Sequence, residues 1–253
     1  MTNEGLTTRQ KNILDFVIKE FINSAKPVPS AVVSKRAHLD VSPATIRSEL
    51  SHLEDRGYLS QLHTSGARVP TDKAYRHFVN GVINEPDIKV SQKEQKEITG
   101  ALARAGSDPR AINKSIADVL SGLSDNVVIT GIDNQSDFFK SGLRGLFSMP
   151  EFQELDRVFE FASFFDEFDN IFSRLEREFL GHGGSSKNVN IIIGRENPMS
   201  KGRGETVMIA KYNLPHGFIG SLTLIGPTRM DYERNISLIK YTTGEVKKSI
   251  NKK

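Results

Sequence analysis

The 253-residue sequence contains no cysteine and no tryptophan. Without cysteine there is no disulfide framework, no thiolate zinc site and no catalytic thiol, so any metal chemistry would depend on histidine and carboxylates. No window approaches the ~20 consecutive apolar residues of a membrane span, and the polar N-terminal segment lacks the apolar core of a signal peptide. These absences predict a soluble, cytoplasmic protein.

The chain also has little net charge, since 34 Lys and Arg oppose 31 Asp and Glu. The small excess lies at one end, because residues 1–80 contain 11 basic and 8 acidic side chains and the other 173 residues contain 23 of each. A basic end joined to a neutral body is expected if that end binds a polyanion, but an excess of three charges is also ordinary for a globular domain. Charge alone therefore leaves nucleic-acid binding open.

Residues 151–180 form a segment of the opposite kind. They carry nine acidic and three basic side chains and 8 of the chain's 15 Phe. Several of these Phe recur at helical spacing and predict an apolar stripe: Phe161, Phe164, Phe165, Phe168 and Phe172. Such a stripe most often packs into a core, and a partner interface is the alternative.

The N-terminal part of the chain predicts helices with clear boundaries. Apolar residues at three- and four-residue spacing indicate a helix over residues 7–24, which the prolines after it end. A short helix is expected over 30–37. The next helix begins sharply at Ser42, because this N-cap residue is followed by Pro43 at the first helical position, and it ends near Arg56.

Two β-prone stretches follow, at residues 58–62 and 67–69, with a turn between them. Another helix is expected over 72–82. Helices and a hairpin in this order predict a winged helix-turn-helix domain over residues 1–83.

After a linker at residues 84–90, the second predicted domain spans residues 91–253. Its helices are expected at 91–105, 108–123 and 231–250. Its apolar β-prone runs lie at 127–132, 189–193, 205–212 and 218–225. Strands that come late in the chain, with helices before and between them, indicate an α+β domain built on an antiparallel sheet.

The helix that begins at Ser42 supplies the first candidate DNA contacts. Its apolar residues share one face that must pack inward, and the N-terminal residues of a recognition helix meet base edges in the major groove. Arginine suits the O6 and N7 atoms of guanine, and hydroxyl groups can bond a base or a phosphate. The candidates on this helix are Ser42, Thr45, Arg47, Ser48 and His52. An ordinary solvated face is the alternative, and three acidic residues, Glu49, Glu54 and Asp55, favour contact through the first two turns only.

The hairpin turn and the helix after it supply the remaining candidates. A small turn with a cation behind it can approach the DNA backbone or enter the minor groove, and cations on the next helix can bind phosphates. These candidates are His63, Thr64, Ser65, Arg68, Lys73 and Arg76. Ordinary turn and surface roles are the alternative for each of them.

These residues resemble the DNA-binding signature of the heat-inducible transcription repressor family HrcA. The matching runs are SPATIR at 42–47, LEDRG at 53–57, HTS at 63–65, RVPTDK at 68–73 and YR at 75–76. The C-terminal signature of that family is similar to GSLTLIGPTRMDYE at 220–233, with IIGRE at 192–196 and PEF at 150–152 before it. The resemblance covers residues 1–80 and 145–250.

The resemblance implies a repressor of heat-shock chaperone operons that binds an inverted-repeat operator in double-stranded DNA as a homodimer. The GroE chaperonin would promote its active state. The implied fold is α+β, with an N-terminal winged helix-turn-helix and a C-terminal GAF-like antiparallel-sheet domain that carries an inserted dimerisation domain. No enzymatic activity and no cofactor are expected.

The chain departs from the family pattern in several places. Ser48 stands where the family has Asn, Gly66-Ala67 reverses the order in the wing, and Leu62 replaces a proline. The stretch between Val127 and Phe147 is short, which predicts that the region expected to form the dimer is reduced or missing.

Two other functions compete with this one. An enzyme is suggested only by residues 182–186 and 201–204, glycine-rich segments that match no phosphate-binding loop and are typical of surface loops. A small-molecule-responsive winged-helix regulator is the stronger alternative. It would use polar groups near the C-terminal signature as an anion site, unless they form a buried structural network: Arg195, Arg229, Asp231 and Tyr232.

Overall fold

The structure is a computed structural model that describes residues 5–37, 39, 41–61, 66–83, 90–133, 138–166, 189–197 and 204–251. The chain forms two compact units, Met1–Asn84 and Glu85–Lys253. Both combine helices with antiparallel sheets, which confirms the α+β class. No helix within the described residues is long and apolar enough to cross a membrane.

The first unit contains four helices and a small sheet. In chain order its elements are α1 (Thr8–Ser24), β1 (Val28–Pro29), α2 (Ser30–Arg36), α3 (Pro43–Asp55), β2 (Leu59–Gln61), β3 (Ala67–Pro70) and α4 (Asp72–Val82). Local chemistry sets the helix ends. The Thr7 hydroxyl accepts a hydrogen bond from the Gln10 amide while the Gln10 side chain caps the Thr7 amide, a capping box that starts α1. Gly57, with a φ of 72°, follows α3 and allows the chain to turn into the hairpin.

The core of this unit comes from the apolar faces of three helices. α1 packs against both α3 and α4. The buried side chains are Ile13, Leu14, Val17, Ile18, Ile46, Leu50, Leu53, Phe78 and Val79. Because α3 buries its residues at three- and four-residue spacing, its opposite face must point to solvent.

The strand β1 is an element that the sequence pattern does not predict. The sheet order is β1-β3-β2, and Val28 pairs with Arg68 while Pro29 pairs with Ala67. A proline can occupy this position because an edge strand needs no amide donor on its outer side. Val28 is almost fully buried. The Val28–Pro29 segment, which the sequence predicts only as the end of α1, therefore forms a strand through its pairing with β3.

The second unit is a five-stranded sheet with helices on both sides. Its elements are α5 (Gln92–Ala105), α6 (Pro109–Ser124), β4 (Val127–Ile132), β5 (Phe138–Ser141), α7 (Leu143–Phe147), α8 (described over 155–166), β6 (Asn190–Ile193), β7 (Glu205–Asn213), β8 (Ile219–Pro227) and α9 (Tyr232–Asn251). The strand order is β5-β4-β8-β7-β6, and every neighbouring pair is antiparallel. β5 is absent from the sequence prediction because it is a half-exposed edge strand of four residues.

Alternate residues of β7 reach the two faces of the sheet. On one face Thr206 and Tyr232 of α9 share a 2.9 Å hydrogen bond, and the Tyr212 hydroxyl donates to Asn113 of α6. On the other face Val207 packs in a cluster with aromatic and aliphatic side chains: Val127, Ile129, Leu146, Phe152, Phe161, Phe164, Ile192, Ile209 and Ile225. Helical cover on both faces explains why β4 is fully buried and why β7 and β8 are buried along most of their length.

The described part of the Phe stripe lies in this core. Phe161 and Phe164 are fully buried, and Phe165 packs against the cluster. Phe168 and Phe172 lie outside the described residues. The core interpretation of the stripe is therefore confirmed for Phe161 and Phe164.

An ion pair fastens α8 to the sheet. Arg157 of α8 donates to the Glu205 carboxylate across 2.9 Å, and Glu205 is fully buried. Burial raises the pKa of Glu205, against the lowering effect of the neighbouring Arg157 charge. The pair thus places the start of α8 over β7.

Phe161→Ala should lower the free energy of unfolding of the second unit by about 3–5 kcal/mol, because truncation of a buried aromatic leaves a cavity. The matched control is Phe159→Ala on the same helix, since the Phe159 side chain is 67% exposed. The control should change stability by less than about 0.5 kcal/mol. Chemical denaturation of the full chain measures both, and equal losses for the two variants would contradict the assignment of Phe161 to the core.

Candidate nucleic-acid interface

The outer face of α3 carries the polar side chains that the sequence predicts to meet DNA bases. Arg47 and Ser48 are exposed, opposite the buried Ile46, Leu50 and Leu53. Within the described part of the chain, no hydrogen bond or ion pair engages the Arg47 guanidinium. Its five donors are therefore available to the acceptors of a base or a phosphate.

Ser42 and Thr45 are held by the start of the helix. The Ser42 hydroxyl accepts a hydrogen bond from the Thr45 amide at 3.1 Å, and the two hydroxyl oxygens lie 2.9 Å apart. Together with Pro43 this N-cap fixes where α3 begins. Ser42 is exposed and Thr45 half-buried, so both remain beside Arg47 and Ser48 at the N-terminal end of the helix.

Intramolecular cations and donors engage two of the three carboxylates on α3. Glu49 accepts hydrogen bonds from Arg9 at 3.3 Å and from Gln10 at 3.1 Å, both on α1. Glu54 pairs with Arg68 of β3 at 2.9 Å. These partners lie 14 to 40 positions away in the chain. The sequence pattern does not reveal them, and from the sequence alone the carboxylates are expected only to repel DNA phosphates. The tertiary structure removes most of that objection.

Arg68 faces α3 rather than open solvent. Its side chain is only 14% exposed, and besides the pair with Glu54 it donates to the Gly66 carbonyl. In this position Arg68 ties the outer end of the hairpin to the helix. His63, Thr64 and Ser65, the predicted tip of the wing, lie outside the described residues.

Lys73 lies at the C-terminal end of α3, away from Arg47. Its Nζ donates to the Arg56 carbonyl at 2.7 Å and lies 4.5 Å from the centroid of the Tyr58 ring. At a rise of about 1.5 Å per residue, this end is roughly 16 Å along the axis from Thr45. Arg76 is half-buried one turn further along α4. The structure thus groups Ser42, Thr45, Arg47 and Ser48 but separates Lys73 from them.

His52 occupies an intermediate position. It is exposed near the C-terminal end of α3, with Nδ1 4.0 Å from the Glu49 carboxylate. It points away from the buried face and lies one and a half turns beyond Arg47.

The polar residues of the second unit form internal bonds. Arg229 pairs with Glu151, the Tyr232 hydroxyl donates to the Thr228 carbonyl at 2.6 Å, and Asp231 accepts from the Arg234 amide at the start of α9. Arg195 is exposed. Among the described residues no group of three His, Asp or Glu could hold a metal ion. The glycine-rich segments at 182–186 and 201–203 lie outside the described residues.

Comparison with known proteins identifies the family. A family model described as the HrcA protein C terminal domain matches residues 74–236, more than half of the chain, and one described as the LexA DNA binding domain matches residues 3–67. The chain belongs to the HrcA family. The second match coincides with the unit whose α3 presents Arg47.

Several relatives align with this HrcA chain over almost its whole length. The heat-inducible transcription repressor HrcA of Alkaliphilus metalliredigens is 27% identical, with 97% of each chain covered. That of Clostridioides difficile is also 27% identical, with 93% of this chain and 97% of the relative covered. A crystal structure of a hypothetical protein at 2.2 Å resolution has a TM-score of 0.80 and 18% identity, and the match covers 98% of this chain and 99% of that one. This last match shows a shared fold.

This HrcA chain is shorter than its relatives. The alignment with the Alkaliphilus metalliredigens protein spans 344 positions, whereas the chain has 253 residues. At least 91 positions of that alignment, the difference between the two lengths, therefore have no counterpart here. The missing positions make this a reduced form of the HrcA architecture.

Ser42→Ala should destabilise α3 by about 0.5–2 kcal/mol, because it removes the side-chain acceptor for the Thr45 amide. Ser51→Ala is the matched control, since Ser51 lies exposed in the middle of the same helix. The control should be neutral or slightly stabilising, as alanine has the highest helix propensity. Amide hydrogen exchange over residues 43–55 measures both, and equal protection in the two variants would contradict the N-cap role.

Proposed function

We propose that this protein is a sequence-specific transcription repressor of heat-shock chaperone operons, which it silences by binding an inverted-repeat operator. The observation that carries the proposal is the exposed Arg47 on α3 of a winged helix, in a chain of the HrcA family. The relatives are named heat-inducible transcription repressors. Their names and the internal bonding of Arg229, Asp231 and Tyr232 favour this function over a small-molecule-responsive regulator.

The proposed division of labour follows the geometry of the first unit. Arg47 and Ser48, with Thr45 beside them, would meet base edges in the major groove, since they lie at the N-terminal end of the recognition helix. Ser42 and His52 would flank that contact. The wing residues would approach the sugar-phosphate backbone: His63, Thr64 and Ser65. Arg68 would hold the wing in place through Glu54, and Lys73 and Arg76 would bind phosphates outside the base contacts.

The two parts of the chain would have separate roles. Residues 1–83 would bind DNA, and residues 84–90 would link the two domains. Residues 91–253 would regulate DNA binding and form the homodimer. An inverted repeat has two-fold symmetry, and a homodimer presents two identical recognition helices with the same symmetry. The dimer contact would come from the second unit, since the inserted dimerisation domain is expected to be reduced in this shorter chain.

Repression would be released by heat. A change of about 1.4 kcal/mol shifts an equilibrium tenfold, so a marginally stable repressor loses a large share of its active dimer over a small rise in temperature. Free GroE chaperonin would restore the active state once unfolded clients no longer occupy it. Operator binding by this protein would thus respond both to temperature and to the amount of free chaperonin.

Arg47→Ala should reduce discrimination between operator and scrambled duplex by about 1–3 kcal/mol, because it removes a base contact. Lys73→Ala should weaken both duplexes to a similar degree, because a phosphate contact carries no sequence information. Gel shifts over a series of salt concentrations, with an inverted repeat from a chaperone promoter, measure both variants. Thermal denaturation checks that Lys73→Ala remains folded, since Lys73 also bonds the end of α3. Unchanged discrimination in Arg47→Ala would reject the recognition-helix assignment.

Heating the purified protein should abolish operator binding before global unfolding, and GroE chaperonin added on return to the lower temperature should raise the recovered fraction. Fluorescence anisotropy of labelled operator follows the binding, and light scattering follows the dimer. Recovery that is identical with and without the chaperonin would reject GroE as a partner, while leaving the DNA-binding assignment intact.

A further inference from the structure

We propose that Glu49 is a positioning residue that determines how well this repressor discriminates its operator from other DNA. The inference rests on the proposed function of the first unit. Glu49 lies on the recognition helix but its carboxylate turns toward α1, and its side chain is only 14% exposed. It would therefore act through the orientation of its neighbours rather than through contact with DNA.

The Glu49 carboxylate connects the recognition helix to the very start of α1. Oε2 accepts a hydrogen bond from Gln10 at 3.1 Å, and Oε1 accepts one from Arg9 at 3.3 Å. Gln10 is itself fixed, because its Oε1 accepts from the Thr7 amide at 3.1 Å within the capping box. One carboxylate thus joins a preformed helix terminus to the helix that carries Arg47.

This connection supplies what the apolar core between the two helices cannot supply. Burial of Ile46, Leu50 and Leu53 is favourable but non-directional, so it selects the face of α3 that turns inward without by itself setting the fine rotation about the helix axis. Hydrogen bonds are directional, and those to a charged group are among the stronger ones in proteins. Glu49 is two positions from Arg47 and one from Ser48. A fixed rotation at Glu49 therefore fixes the direction in which Arg47 and Ser48 point.

Base recognition is sensitive to that direction. Functional constellations must be held within roughly 0.5 Å and 10–20° of the productive geometry, and a bidentate arginine contact has a fixed planar fork. Phosphate contacts tolerate more displacement, because they depend mainly on charge. Loss of the Glu49 anchor should thus impair operator binding more than binding to unrelated sequence.

A purely electrostatic role predicts a different result. A carboxylate near DNA repels phosphates, so its removal would strengthen binding to every sequence by the same factor. The ratio of operator affinity to non-specific affinity distinguishes the two roles, since only a positioning role changes that ratio.

The experiment uses the full-length protein and two duplexes of equal length. One is the sequence that the wild type selects from a random duplex pool, and the other is a scrambled version of it. Dissociation constants are measured at one salt concentration for Glu49→Ala, for Glu49→Gln and for the matched control Asp55→Ala. Asp55 is an exposed acid on the same helix that forms no ion pair or hydrogen bond with a described residue.

Glu49→Ala should lower the ratio of operator to non-specific affinity about tenfold, a change equivalent to 1.4 kcal/mol. Glu49→Gln should keep the ratio within about threefold of the wild type, because its amide oxygen can still accept from Gln10. Asp55→Ala should leave the ratio unchanged. The inference is overturned if Glu49→Ala strengthens or weakens both duplexes equally, or if the glutamine variant loses as much discrimination as the alanine variant.

Two further measurements keep the outcome decisive. If Glu49→Ala does not fold, Gln10→Glu keeps the acceptor for the Thr7 amide but removes the donor to Glu49. This variant should lower the same ratio, whereas an unchanged ratio rejects the inference. If the wild type selects no sequence from the pool, the proposed function fails and the inference falls with it. Selection by the wild type together with an unaffected Glu49→Ala ratio rejects the inference alone.

Discussion

The packing of α3 on α1 is the constraint on which the DNA-binding unit depends. Ile46, Leu50 and Leu53 must be buried, and this forces Arg47 and Ser48 to the opposite face. A helix that buried a wider face would leave no side chains for base edges, and one that buried less would not be held. The amphipathic pattern of a single 13-residue helix therefore provides both stability and an exposed polar face.

Charge on this unit is organised by contacts rather than by its sum. Glu49 and Glu54 add negative charge to a helix that is proposed to face a polyanion, but each is engaged by a residue from another element. Of their cationic partners, Arg68 is only 14% exposed and so contributes little cationic surface, whereas Arg9 remains half exposed. The net charge of +3 thus says less about DNA binding than the position of the exposed Arg47 guanidinium on α3.

In the second unit, too, contacts between elements decide where polar groups lie, and here the buried element is a sheet. Its central strands are buried on both faces, so hydrogen-bond partners for polar groups within them can come only from inside the unit. Asn113 of the covering helix α6 bonds two of these strands, since it donates to the Gly131 carbonyl of β4 at 2.8 Å and accepts from the Tyr212 hydroxyl of β7. Burial raises the pKa of Tyr212, and its neutral phenol is the donor in this hydrogen bond. Such a network favours one register of α6 on the sheet.

The amino-acid sequence alone determined most elements of this protein. Capping residues, prolines and apolar spacing located α1, α3 and α4, and the motif at 220–233 indicated the family, because these signals act within a few residues. β1 and β5 escaped prediction since each exists only through pairing with a strand distant in sequence. Only the tertiary structure decided that Glu49 and Glu54 tie α3 to other elements and that Arg68 faces inward. Hydrogen bonds and ion pairs between elements depend on distances that local spacing does not encode.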